Sequence, residues 1–139
     1  MSVVLMLDTN AVSALVKGQA EGLSQALTRR PFCMSVITEA ELRYGLARRP
    51  VKADLRRIVE SLLLVTDIRP WNSACAERYG LLRAELESQG KSLAPMDLFI
   101  ATHALAENCT LVSADTAFVH VPDLKHIDWT TVQTDSGII

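Results

Sequence analysis

The 139-residue sequence predicts a three-layer α/β fold with a mainly parallel central sheet flanked by helices. Three observations point to it. Val3–Leu7 is a run of five apolar residues without alternation, which marks a strand buried on both faces, as strands of parallel sheets are. Strand-like and helix-like segments then alternate along the chain, the pattern of a parallel sheet with helical crossovers. Finally, the apolar runs end in small polar or acidic residues, Asp8-Thr9-Asn10 after the first and Ser113-Ala114-Asp115 after a later one. Ligands of open α/β sheets bind outside the carboxyl ends of the strands, so these residues occupy the expected working edge.

The elements follow in order. Thr9 or Asn10 is suited to cap a helix over 11–17, closed by Gly18, and a second helix over 20–30 is stopped by Pro31. Phe32–Ile37 reads as the second strand. Thr38 with Glu41 three residues on makes a capping-box pattern, opening a helix to about Arg48. Leu55, Ile58, Val59, Leu62 and Leu63 recur at helical spacing over 52–63, and 64–68 reads as a weaker strand. Pro70 suits the start of a long helix reaching Ser88 and ended by Gln89-Gly90. Pro95 opens a helix over 96–107 with Asp97 in its first turn. Thr110–Ser113 supplies a strand leading to Asp115, and 124–129 a last short one.

This length fits one domain, 1–139, with a weakly patterned tail over about 130–139. A hydrophobic content of 49% supplies a core without disulfides, and a net charge of −2 argues against a strongly basic nucleic-acid binder while leaving room for a local patch. Cys33, Cys75 and Cys109 are odd in number and form no CxxC pair, which suits buried thiols in a reducing compartment. The amino-terminal apolar run is too short for a signal peptide or membrane span, so the expected location is cytoplasmic. His103, His120 and His126 fall in no HxxxH or HExxH arrangement, and Walker, GxGxxG and GxSxG motifs are absent from the sequence.

The acids carry the chemistry. Asp8, Glu41, Asp97 and Asp115 share one predicted address, the carboxyl edge of the sheet. Each has an ordinary explanation: Glu41 as the capping-box acid, Asp97 at a helix N-terminus, Asp115 in a turn. Asp8 is harder to explain that way, because an acid abutting five apolar residues is costly to desolvate without a partner. Two carboxylates about 4 Å apart repel by about 4 kcal/mol at an effective dielectric near 20, and no lysine or histidine adjoins these acids in sequence. A hard divalent cation, Mg²⁺ or Mn²⁺, relieves such crowding, and it can orient a phosphate and lower the pKa of a bound water. Arg43, Arg48, Arg49, Lys52, Arg56 and Arg57 form the densest basic region, starting two residues from Glu41; they suit a solvated helical face or phosphate contact.

Four motifs in order, LDTN at 7–10, ITEAELRYG at 37–45, PMDLFIATHA at 95–104 and LVSADTAF at 111–118, resemble the PIN-domain ribonucleases, and among them the VapC toxins of bacterial toxin–antitoxin pairs. The resemblance spans nearly the whole chain. It maps the family's acids onto Asp8, Glu41 (rather than Glu39), Asp97 and Asp115, with Thr9, Asn10 and Ser113 as small polar groups supporting them. It implies a Mg²⁺- or Mn²⁺-dependent endoribonuclease that cuts structured RNA and stops translation. The substrate it implies first is the anticodon stem-loop of initiator tRNA, with large-subunit ribosomal RNA as a known variation. It also implies a homodimer blocked by a VapB-type antitoxin, with DNA contacted only through that antitoxin.

The sequence therefore predicts Asp8, Glu41, Asp97 and Asp115 as catalytic and metal-binding residues and Arg43 as an RNA phosphate contact. A haloacid-dehalogenase-like phosphatase would want an acid two residues after Asp8, where Asn10 stands. The remaining alternative is a PIN-like module that binds partners without catalysis; the signature of that reading would be lost acids.

Overall fold

The computed structural model describes residues 3–48 and 50–131. At its centre lies β1 (Leu5–Leu7), every residue of it buried. β2 (Phe32–Ser35) and β4 (Thr110–Val112) pair with it on either side, aligning Leu5 with Phe32 and with Thr110. β3 (Asp67–Arg69) extends the sheet beyond β2 and β5 (His126–Ile127) beyond β4. The order is β3-β2-β1-β4-β5 and every pairing is parallel. With all strands pointing one way, the residue after each strand arrives at the same edge.

Among the described residues six α-helices cover the two faces: α1 (Thr9–Val16), α2 (Glu21–Leu27), α3 (Val36–Ala47), α4 (Ala53–Val65), α5 (Ser73–Ser88) and α6 (Pro95–Ala106). Side chains of a strand alternate between faces, and β1 shows this directly. Leu5 and Leu7 pack with Val12, Leu23, Leu46, Val59 and Leu63 from α1 to α4. Met6 packs on the opposite side with Leu82 and Leu86 of α5, Ile100 of α6 and Phe118. Truncating such a fully buried side chain to alanine costs about 2–5 kcal/mol, so β1 ties the two cores together.

Several boundaries differ from expectation. β2 ends at Ser35, not Ile37, because the Ser35 hydroxyl accepts from the Ile37 backbone N–H at 3.0 Å and caps α3. The capping box at Thr38 is therefore not used. Leu64 and Val65 belong to the end of α4 and are 87% and 81% exposed; the apolar run there continues the helix, leaving only Asp67–Arg69 as strand. α1 is capped by Asp8 itself rather than by Thr9 or Asn10. α5 begins after Asn72, whose side chain accepts from the Cys75 N–H at 3.2 Å, and not at Pro70. α2 stops at Leu27, and a 3₁₀ turn over Thr116–His120, unmarked by any sequence pattern, follows Asp115. Gly18 and Gly90 do close α1 and α5, with φ of 70° and 69°.

Cys33, Cys75 and Cys109 are buried thiols, and the sulfurs of Cys33 and Cys109, distant in sequence, lie 3.9 Å apart. Among the described residues no helix is long and apolar enough to cross a membrane. Arg49 and most of the tail, 132–139, lie outside the described residues.

Candidate active site

Each of the four acids reaches the carboxyl edge by its own route. Asp8 is the first residue after β1. Its backbone N–H donates to the Val112 carbonyl at 3.1 Å, extending the sheet by one bond, and its Oδ1 accepts from the Ala11 N–H at 2.8 Å to cap α1. Only 6% of the residue is exposed. Burial pushes its pKa above the ordinary aspartate value, against the pull of hydrogen bonds from Ser113 and Ala11, and the Asp115 charge pushes it further up.

Glu41 lies in the second turn of α3, because the helix starts at Val36. It is thus too deep in the helix to cap it. Instead it accepts a 2.5 Å hydrogen bond from the Thr9 hydroxyl, joining α3 to the first residue of α1. Its neighbour Glu39 faces another way and pairs with Arg43 at 2.8 Å. Asp97 is the third residue of α6, after Pro95 at its start, where the helix dipole favours a negative charge. Even so its carboxyl is raised, by burial first and then by the charges of Asp115, Glu41 and Asp8. That list is the other three acids, so the fold brings all three within electrostatic reach of Asp97.

Asp115 follows β4 and caps the 3₁₀ turn, its Oδ1 accepting from the Ala117 N–H at 2.9 Å. Its own N–H donates to the Ser113 hydroxyl at 3.0 Å. Ser113 is fully buried and also hydrogen-bonds Asp8, so one hydroxyl stands between two of the acids. Of the small polar residues singled out from sequence, Thr9 and Ser113 touch the acids, whereas Asn10 is exposed and lines a groove beside Glu41.

Among the described residues, every ion pair lies elsewhere: none involves Asp8, Glu41, Asp97 or Asp115. Arg43, with a side chain 59% exposed, is held by Glu39 on the outer side of α3 rather than at the acids. Arg57 pairs with Asp54, and Arg56 with Glu60 and the Leu46 carbonyl. Two cations do border the site. Lys17 and Arg48 line the groove of about 280 Å³ that runs from Thr9, Asn10 and Glu41 between α1, α3 and α4. Arg48 also sits 5.7 Å above the Tyr44 ring. Sequence singled out neither Lys17 nor His126. The latter donates from Nε2 to the Ser113 carbonyl at 2.8 Å and exerts a small downward pull on Asp8. No spacing pattern links these residues to the acids, since each arrives from a different element.

The donor set is chemically uniform: carboxylate oxygens and hydroxyls, with thiols absent from the group. Such donors suit a hard divalent cation. Among the described residues no three His, Cys, Asp or Glu side chains stand close enough to hold one ion between them. Mg²⁺ commonly binds through one or two carboxylates and keeps several waters, a mode that this more open arrangement fits.

The sequence matches the model of the PIN domain over residues 5–124. It is 32% identical to Ribonuclease VapC2 of Rickettsia felis over 91% of this chain and 98% of that protein. It is 30% identical to the tRNA(fMet)-specific endonuclease VapC of Shigella flexneri over 89% and 96%. The fold superposes on DNA-bound VapBC from Salmonella typhimurium with a TM-score of 0.84 and 27% identity, covering 91% of this chain and 98% of that one. Matched in its sequence from the first strand through the turn after the fourth, and in its fold across nearly all its length, the chain belongs to the PIN-domain family.

Proposed function

We propose that this chain is the toxin of a type II toxin–antitoxin pair, a Mg²⁺- or Mn²⁺-dependent endoribonuclease that cuts structured RNA and so inhibits translation. The observation that carries this reading is the set of four acids at one sheet edge, three of them crowding Asp97 and none with an ion-pair partner among the described residues. Asp8, Asp97, Glu41 and Asp115 would hold the cation, directly or through water. Bound there, it would offset their repulsion, neutralise charge on the scissile phosphate and favour ionisation of water.

The chain's own residues do the rest. The Ala11 N–H and the Ser113 hydroxyl fix the Asp8 carboxylate, and the Thr9 hydroxyl fixes that of Glu41. Asp97, made more basic by burial and by its three acidic neighbours, takes a proton from the water that attacks phosphorus. A new P–O bond forms to that water's oxygen, the bond to the leaving ribose oxygen breaks, and that oxygen takes up a proton from solvent. Lys17 and Arg48 along the groove, with Arg43 further out, contact flanking phosphates, which position RNA without reading its bases.

The initiator tRNA anticodon stem-loop is the substrate proposed first, in keeping with the activity named for the Shigella flexneri relative. The partners proposed are a second copy of this chain and a VapB-type antitoxin, in keeping with the VapBC complexes it resembles; DNA is reached only through the antitoxin. Buried free thiols suit the proposed cytoplasmic location.

The test is incubation of total cellular RNA with wild type and Asp8→Ala protein, with Mg²⁺ and with EDTA, the new ends being mapped by sequencing. A cation-dependent cut at one tRNA site, absent from the variant, is expected. A folded, antitoxin-free wild type that cuts nothing would overturn the enzymatic reading in favour of a binding module.

A further inference from the structure

His103 is fully buried in α6, six residues beyond Asp97 on the same helix. Its Nδ1 lies 2.7 Å from the Ser35 hydroxyl. That hydroxyl already accepts from the Ile37 N–H at 3.0 Å and so caps α3, the helix that carries Glu41. The remaining ring nitrogen, Nε2, has no hydrogen-bond partner among the described residues and stands 3.8 Å from Glu107 Oε1. An unprotonated nitrogen there would place a lone pair against a carboxylate. The proton therefore belongs on Nε2, and Nδ1 is left to accept from the Ser35 O–H. Burial keeps the ring neutral by lowering its pKa, although the Glu107 charge and the Pro70 carbonyl favour a further proton.

The resulting chain of donors runs from the Ile37 N–H to Ser35 Oγ, and from the Ser35 O–H to His103 Nδ1. It bolts the first turn of α3 to the last turn of α6, and those two helices carry Glu41 and Asp97. An apolar residue of similar size would fill the same space and leave α3 free to shift against α6. A buried hydrogen bond between two elements favours one arrangement where packing alone admits several.

We propose that His103 is a positioning residue for RNA cleavage: through the Ser35 hydroxyl it sets the spacing between Glu41 on α3 and Asp97 on α6. The inference rests on the reading of those acids as catalytic. It predicts that damage to this link lowers turnover and leaves RNA binding nearly intact, since neither side chain lies in the groove where RNA would run.

The test compares wild type with His103→Leu, His103→Asn, Ser35→Ala, the His103→Leu/Ser35→Ala double variant and Asp8→Ala, using RNA cleavage with Mn²⁺ and ¹⁵N NMR of the histidine ring. His103→Leu should lower kcat by about 10–100-fold, the usual cost of losing a group that orients a ligand, with KM held within about 3-fold. His103→Asn, whose amide oxygen can accept from Ser35, should recover most of that loss at an unchanged Tm. The double variant should be little worse than His103→Leu, because both changes break one link. The ring spectrum should show a neutral Nε2–H tautomer whose Nδ1 signal moves in Ser35→Ala. A wild-type kcat in His103→Leu, no rescue by asparagine, or an Nδ1–H ring would each overturn the proposal. A wild type no more active than Asp8→Ala would instead overturn the reading of the acids themselves, and the ring spectrum would still decide whether the link exists.

Discussion

Glu39 and Glu41 stand two residues apart on α3 and meet opposite surroundings. Glu39 is partly buried and holds Arg43 in an i,i+4 ion pair; Glu41 accepts from the Thr9 hydroxyl and adds its charge to those that crowd Asp97. The contrast extends across the molecule. On the outer helix surfaces Asp54 has Arg57 and Glu87 has Arg83, and at the edge strand β3 Arg69 lies between Asp67 and Glu107. At the sheet edge Asp8, Glu41 and Asp115 accept from hydroxyls or backbone N–H groups, and among the described residues none of these three or Asp97 has a side-chain cation within ion-pairing distance. Surface pairs contribute little to stability, typically 0–1 kcal/mol, and are replaceable. The crowded edge works against stability in the metal-free chain, which is what a site built to receive positive charge entails.

The largest effect expected from this contrast is on cleavage. Asp8→Asn keeps an oxygen for the Ala11 N–H and so keeps the cap on α1, yet it should lower RNA cleavage by more than about 100-fold, beyond the range for merely supporting groups. Asp54→Asn should leave the rate unchanged. Equal rates for the two variants in one assay would erase the distinction between the regions.

Next comes the Glu39 and Glu41 pair itself. Glu41→Gln should lower kcat by about 10–100-fold, and Glu39→Gln should change it by no more than the release of Arg43 allows, within about 3-fold. A larger loss in Glu39→Gln would move the functional acid from Glu41 to Glu39.

The smallest effect is on stability as a function of pH. The folded pKa values of Asp8 and Asp97 lie above the ordinary aspartate value. In the window between unfolded and folded values the native state holds more protons than the unfolded one, so stability falls as pH rises through it. The loss is absent below the unfolded pKa and complete above the folded one. Urea denaturation of the metal-free protein across that window should show this fall, and it should shrink in Asp97→Asn. A pH dependence unaltered by that substitution would mean that the Asp97 charge costs nothing where it lies.

How much of this could be read from sequence depends on how local each cause is. The central strand and the address of Asp8 follow from one uninterrupted apolar run, and Asp115 follows from the next run of that kind before an acid. Glu41 was ambiguous because Thr38 precedes it by three residues, the spacing of a capping box. The ambiguity vanishes once β2 ends at Ser35 and the helix begins two residues before Thr38. The end of α4 was misread because Leu62–Val65 is as apolar as a buried strand, although its last two residues face solvent. Arg43, proposed as a phosphate contact, stands two residues from Glu41 but pairs with Glu39 one turn back, a partner that nearness to Glu41 does not single out. Lys17, His126 and the Ser35–His103 link are illegible in one dimension, since the last joins residues 68 apart.

The account turns on whether the unpartnered acids exist to receive a cation, and thermal unfolding with Mn²⁺ addresses that most directly. Binding to the folded state alone raises stability by about 2.7 kcal/mol at a hundredfold excess over the dissociation constant. Wild type should therefore melt several degrees higher with Mn²⁺, return to its starting Tm with EDTA, and lose the shift in Asp8→Asn while keeping it in Asp54→Asn. A Tm indifferent to Mn²⁺, or one that rises equally in Asp8→Asn, would contradict it.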